Sequence, residues 1–128
     1  MPVKIKRIYE PSLPSDGYRV LVDRLWPRGM KKEAAQTDLW LKEIAPSTEL
    51  RKWFNHEQEK WPSFIKKYAA ELEGSAALKE LTALAGKHKT LTILYSAKET
   101  QFNHAVILYH LLKGDISLPL HSIPASLK

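Results

Sequence analysis

Val20-Leu21-Val22, at the centre of the run YRVLVDRLW, is apolar on successive residues and β-branched at both ends. A strand with one wet face alternates polar and apolar residues, so an unbroken apolar run suits a strand covered on both faces, as in a sheet flanked by helices. Pro27 stops the run because proline cannot donate to a ladder. The clearest strand is TLTILYS at 90–96, which a polar loop, AKETQF, joins to a largely apolar helix from about Asn103 to Lys113, closed by Gly114. A short β-like run of Val3, Ile5, Ile8 and Tyr9 ends at Pro11. Leu39, Leu41 and Ile44 read as a further short strand, and the polar stretch from Gly29 to Asp38 reads as loop.

Helices fill the middle of the chain. Ser47 can cap one that carries Leu50, Trp53 and Phe54 on one face. Pro62 suits the first turn of the next, with Phe64, Ile65, Tyr68, Ala69 and Leu72 as its stripe and Gly74 at its end. Ser75 can cap a third, bearing Leu78, Leu81 and Ala85, for which Gly86 supplies the left-handed stop. The expected fold is α/β: a small, mostly parallel sheet with right-handed crossovers, flanked by helices, in a single domain over 1–114, followed by an extended tail at 115–128. Such sheets place ligands at the carboxyl ends of their strands.

Zero cysteines among 128 residues exclude thiol nucleophiles, Cys-based zinc sites and iron–sulfur ligation. No apolar run approaches the ~18 residues of a membrane span, and MPVKIKRIYEP is charged where a signal peptide is apolar. We expect a cytoplasmic protein with no membrane partner. The net charge of +6 is unevenly spread: 1–32 carry eight Lys/Arg against three acids, 33–86 seven against nine, and 87–128 five against two. Basic charge therefore flanks the expected strands and favours an anionic partner, although the same charge also serves solubility.

Two stretches carry candidate chemistry. Asp23, Arg24 and Arg28 lie at or beyond the end of the Val20–Val22 strand, where forked guanidinium groups suit a phosphate or carboxylate. Asp23 can orient Arg24 by a charge-assisted hydrogen bond; equally, Arg24 can pair with Asp23 or Glu43 in a purely structural role. The second stretch, 95–105, offers Ser96, Lys98, Asn103 and His104 at the start of a helix, whose free N–H groups attract anions. His104 is the candidate general acid or base, and His56 stands at another helix end. GxxxxGK[ST], GxGxxG and HExxH are absent, so neither a standard nucleotide motif nor a metal site is expected, and no cofactor. Trp26, Trp40, Trp53 and Trp61 sit beside aliphatic residues and read as core or rim packing.

The runs GYRVLVDRLWPRG, WLKEIAPSTELRKWFNHE and LTILYSAKETQFNHAVIL, in this order, resemble the bacterial domain of unknown function 488 family in its YeaO-like branch, over nearly the whole chain to about Gly114. The resemblance implies an α/β fold and strand-end residues of interest rather than a particular reaction. Another branch of that family carries cysteine at the position of Tyr95, glutamate at Ala97, cysteine at Asn103 and arginine at Ala105, with His104 shared. Against that pattern this chain implies a copy that binds without catalysing.

The expectation is a pocket for a phosphate-bearing small molecule or nucleotide, lined by Asp23, Arg24, Arg28, Ser96, Lys98, Asn103 and His104. A nucleic-acid-binding or regulatory module using the basic ends, and a non-catalytic protein-interaction domain, are the alternatives. No composition signal decides the oligomeric state.

Overall fold

Strand β4 (Leu91–Tyr95) is buried at every residue because it lies inside a four-stranded, all-parallel sheet of order β1-β4-β2-β3. This computed structural model describes residues 2–127. Strands β1 (Val3–Arg7), β2 (Tyr18–Leu21) and β3 (Leu39–Trp40) precede β4 in the chain, so the last strand inserts between the first two. Register runs from Val3↔Leu91 to Arg7↔Tyr95 on one side and from Tyr18↔Leu91 to Leu21↔Leu94 on the other. Ladder bonds continue past the strands, from Ile8 N–H to the Tyr95 carbonyl at 2.8 Å and from Val22 N–H to the Leu94 carbonyl at 3.1 Å.

The two faces of the sheet are unequally covered. Val3, Val20, Val22, Leu91, Ile93 and Tyr95 face a large core made with helices α2 (Thr48–Phe54), α3 (Trp61–Leu72), α4 (Ala76–Lys87) and α5 (His104–Lys113). The alternate residues Leu21 and Leu94 meet a small cluster with Ile8 and Ala35, the latter on the single-turn helix α1 (Lys32–Ala35). Beside that cluster sits an ion network. Arg19, 3% exposed, donates to Asp16 and to the carbonyls of Ala35 and Gln36, and Lys6 donates to Asp16 at 3.0 Å. Gly17, at φ +65°, completes this corner: a Cβ there would stand 2.3 Å from the Thr90 carbonyl oxygen.

The helix starts follow the expected chemistry. Ser47 accepts from Leu50 N–H, Ser75 from Leu78 N–H and Asn103 from Val106 N–H, and Gly114 at φ +85° ends α5. Four local expectations need correction. The Leu39–Ile44 strand stops at Trp40, because Leu41 leaves extended backbone and Lys42–Ile44 form a tight turn that buries Ile44, whose carbonyl accepts from Tyr68. The Gly29–Asp38 loop contains α1, whose Ala35 packs on the sheet. Gly86 lies inside α4, which runs to Lys87 and gives way to extended backbone at His88. Trp53 is 37% exposed, with the ammonium groups of Lys60 and Lys67 about 5 Å from its ring, whereas Trp61 is fully buried. In the segment after Gly114, Ile116 and Leu127 are buried, and the Trp61 indole donates to the Leu127 carbonyl.

Burial pushes the Asp16 carboxyl up, but the Leu13 N–H, Lys6 and Arg19 hold it below the usual 3.8. Its contribution to stability is therefore present above that ordinary value and lost as pH falls through the lower folded value. Asp16→Asn leaves Arg19 buried without a counter-charge, and we expect a loss of about 3 kcal/mol in urea unfolding at neutral pH. A loss below roughly 0.5 kcal/mol, the scale of an ordinary surface substitution, would contradict the role given to this network.

Candidate functional site

Because every strand is parallel, the carboxyl ends of β1, β2 and β4 emerge at one edge of the sheet. There the loop after β2, the loop after β4, the first turn of α5, the Ala45-Pro46 turn and the end of α2 enclose a cleft of about 350 Å³. Phe54 and Phe64 form its floor, stacked at 4.2 Å between ring centroids. Leu25 and Trp26 border it, as do Arg24, Arg28, Arg51, His56 and His104.

Asp23 ties the edge together. Its Oδ2 accepts from the Ser96 backbone N–H at 3.0 Å and from the Ser96 hydroxyl at 2.5 Å, and its Oδ1 lies 3.5 Å from His104 Nε2. The same Nε2 is 2.9 Å from the Val22 carbonyl oxygen. A carbonyl can only accept, so Nε2 carries the proton and Nδ1 holds the free lone pair. Nδ1 has no hydrogen-bond partner among the described residues. Burial pulls the His104 pKa below 6.5; Asp23 and the Val22 carbonyl oppose that pull, and His56 adds to it. His104 is therefore a neutral imidazole at neutral pH. Ser96 is no nucleophile in this arrangement, because its hydroxyl proton points to Asp23 and no imidazole accepts it.

The expected Asp23–Arg24 bond does not form. Arg24 instead donates from one terminal nitrogen to the carbonyls of Ala45 at 3.1 Å and Pro46 at 3.3 Å, and its Nε is sealed in without a partner. Arg24 thus binds the second wall of the cleft to the first. Arg28 is exposed, and its side chain makes no hydrogen bond or ion pair among the described residues. Its loop is held by Tyr9, which donates to the Arg28 carbonyl, and by Trp26, which donates to the Met30 carbonyl. Asn103 borders the cleft, but its amide is occupied by the Glu99 carbonyl and the Val106 N–H. Lys98 is exposed and lies off the cleft.

Sequence reasoning missed Arg51 and the aromatic floor. Arg51 and Phe54 stand three residues apart on α2, hence on neighbouring positions of one face, which was the available signal. His56 reaches the cleft because Asn55 and His56 adopt successive left-handed conformations, at φ +47° and +55°. Such a pair costs roughly 1–2 kcal/mol per residue and turns the chain back over the end of α2.

The folded protein resists protonation of His104, so this residue adds stability that is full above pH 6.5 and declines as pH falls below it toward the folded pKa. In an NMR titration we expect the His104 midpoint below 6.5, and a further decrease in Asp23→Asn, which removes the charge favouring the imidazolium. An unchanged or raised midpoint in that variant would show that Asp23 does not govern the ring.

The family model described as the inactive DUF488-N3 subclade matches residues 2–119. Uncharacterized protein YeaO of Escherichia coli (strain K12) is 49% identical over 114 residues, covering 89% of this chain and 99% of that protein. Uncharacterized protein Mb3100c of Mycobacterium bovis is 42% identical over 112 residues, covering 88% and 94%. No solved structure matches the chain. A match spanning both walls of the cleft and all four strands, with relatives aligned over nearly their full length, places the chain in the DUF488 family, among its YeaO-like members.

Proposed function

We propose that the cleft binds a phosphate-bearing small molecule, a nucleotide included, and holds it without turning it over. The observation that carries this reading is the charge balance of the lining. Three guanidinium groups, of Arg24, Arg28 and Arg51, border the cleft beside the single carboxylate of Asp23, which is already engaged by Ser96 and His104. Arg28 and Arg51 are left to clamp the anion, as forked donors do with phosphate. Arg24 and Asp23 keep the walls in place, Ser96 and Asn103 hold the β4 exit, and Lys98, exposed and off the cleft, adds only to the general positive field.

His104 has the proton chemistry of a general acid or base, but no nucleophile is positioned beside it. The position that carries glutamate in another branch is Ala97, on the cleft wall, and the chain has no cysteine. The description of the matched subclade as inactive supports binding without catalysis.

Thermal unfolding with a panel of phosphomonoesters tests this. A ligand at a hundredfold excess over its Kd stabilises by ~2.7 kcal/mol, which for a domain of this size is a rise in Tm of several degrees. We expect such a rise with at least one of ribose 5-phosphate, AMP, GMP and UMP, and its loss in the Arg28→Ala/Arg51→Ala double variant. A flat response to the whole panel, or equal stabilisation of the double variant, would refute the reading.

A further inference from the structure

The cleft lining combines buried apolar side chains with exposed guanidinium groups. Phe54 and Phe64, 4% and 2% exposed, with buried Ala45 and Pro46 give one part of the lining an apolar character. Asp23 and Asn103 are buried in the same lining but already bonded, whereas His104 Nδ1 is a lone-pair acceptor that makes no hydrogen bond among the described residues. Elsewhere in the lining Arg28 and Arg51 are exposed and make no side-chain bond among the described residues, and Leu25 is 64% exposed.

Resting on the reading of the cleft as a phosphate site, we propose that its ligand is of the nucleoside monophosphate class, bound base first. The planar ring lies against the Phe54–Phe64 floor and donates an N–H to His104 Nδ1, while the phosphate stays at the mouth between Arg28 and Arg51. A heteroaromatic ring has apolar faces and a polar edge, which match a lining that sets apolar side chains beside one unengaged acceptor on His104. A sugar phosphate is polar all round, and against the same floor its hydroxyls would lose water without gaining partners. A phosphate placed at the mouth remains partly hydrated and meets two forked cations. The ribose between them covers Leu25. A cleft of about 350 Å³ lies at the small end of the ~300–1,000 Å³ range of ligand clefts, room for a mononucleotide rather than a dinucleotide.

Calorimetric titration of the intact chain with AMP, GMP, UMP, ribose 5-phosphate, inorganic phosphate and the parent nucleosides tests this ordering. At least one nucleoside monophosphate should bind tenfold or more tighter than ribose 5-phosphate and than its own nucleoside. Arg28→Ala/Arg51→Ala should erase the monophosphate's advantage over the nucleoside and leave weak nucleoside binding in place. Long-range ¹H–¹⁵N NMR reads the base end directly: the monophosphate should shift the His104 Nδ1 resonance, and ribose 5-phosphate should not. If ribose 5-phosphate binds as tightly as every monophosphate, and the double variant loses both, the base-first ligand is overturned while the phosphate reading stands. If no phosphate-bearing member of the panel binds, both fall.

Discussion

The carboxylate of Asp23 is the interaction on which the functional edge depends. It follows β2, yet its bonds run to the exit of β4 at Ser96, and its second oxygen stands 3.5 Å from His104 at the start of α5. One side chain therefore joins two adjacent strand tips and a helix that are far apart in sequence. The Val22 carbonyl, 2.9 Å from His104 Nε2, fixes which ring nitrogen is protonated and leaves Nδ1 with the free lone pair. Such a tie is also costly to a catalytic scheme, because it uses the serine hydroxyl and the carboxylate to position each other. The cleft gains a rigid neutral imidazole and loses a nucleophile.

The chain order explains why this tie is needed. Since β4 enters between β1 and β2, the cleft is assembled only when the last strand docks, and the residues that line it come from 23–28, 45–64 and 96–104. The thinly covered face of the sheet relies on a buried ion network of Asp16, Arg19 and Lys6 instead of a helix layer. That network engages the basic side chains of Lys6 and Arg19 on the strands. Basic charge at the cleft sits on Arg28 and Arg51, which make no side-chain bond among the described residues.

Much of this was legible in the residues. Val20–Val22 and Leu91–Tyr95 announced buried strands through apolar runs, and Ser47, Ser75 and Asn103 announced helix starts through hydroxyl and amide caps. The family resemblance pointed to the same α/β architecture, and Arg24, Arg28, Ser96, Asn103 and His104 do converge on one cleft. What failed was decided by tertiary packing. Ile44 reads as the end of the Leu39–Leu41 strand, yet the backbone turns at Lys42 and the Ile44 carbonyl accepts from Tyr68, and Gly86 suits a helix stop yet sits within α4. Arg51 was hidden because α2 reads as a short amphipathic helix, and nothing local says which protein surface its polar flank borders. His56 reaches the site through two left-handed residues, and no glycine marks that turn.

The central claim is that ligands are taken at the carboxyl edge of the sheet and nowhere else on it. Backbone ¹H–¹⁵N shift mapping with AMP measures this residue by residue. The account predicts perturbations concentrated at Arg24–Arg28, Arg51–His56 and Ser96–His104, with Gln36–Asp38 at the other end of the sheet unmoved. Shifts centred on the opposite edge, or none at saturating concentrations of the nucleotide, would contradict it.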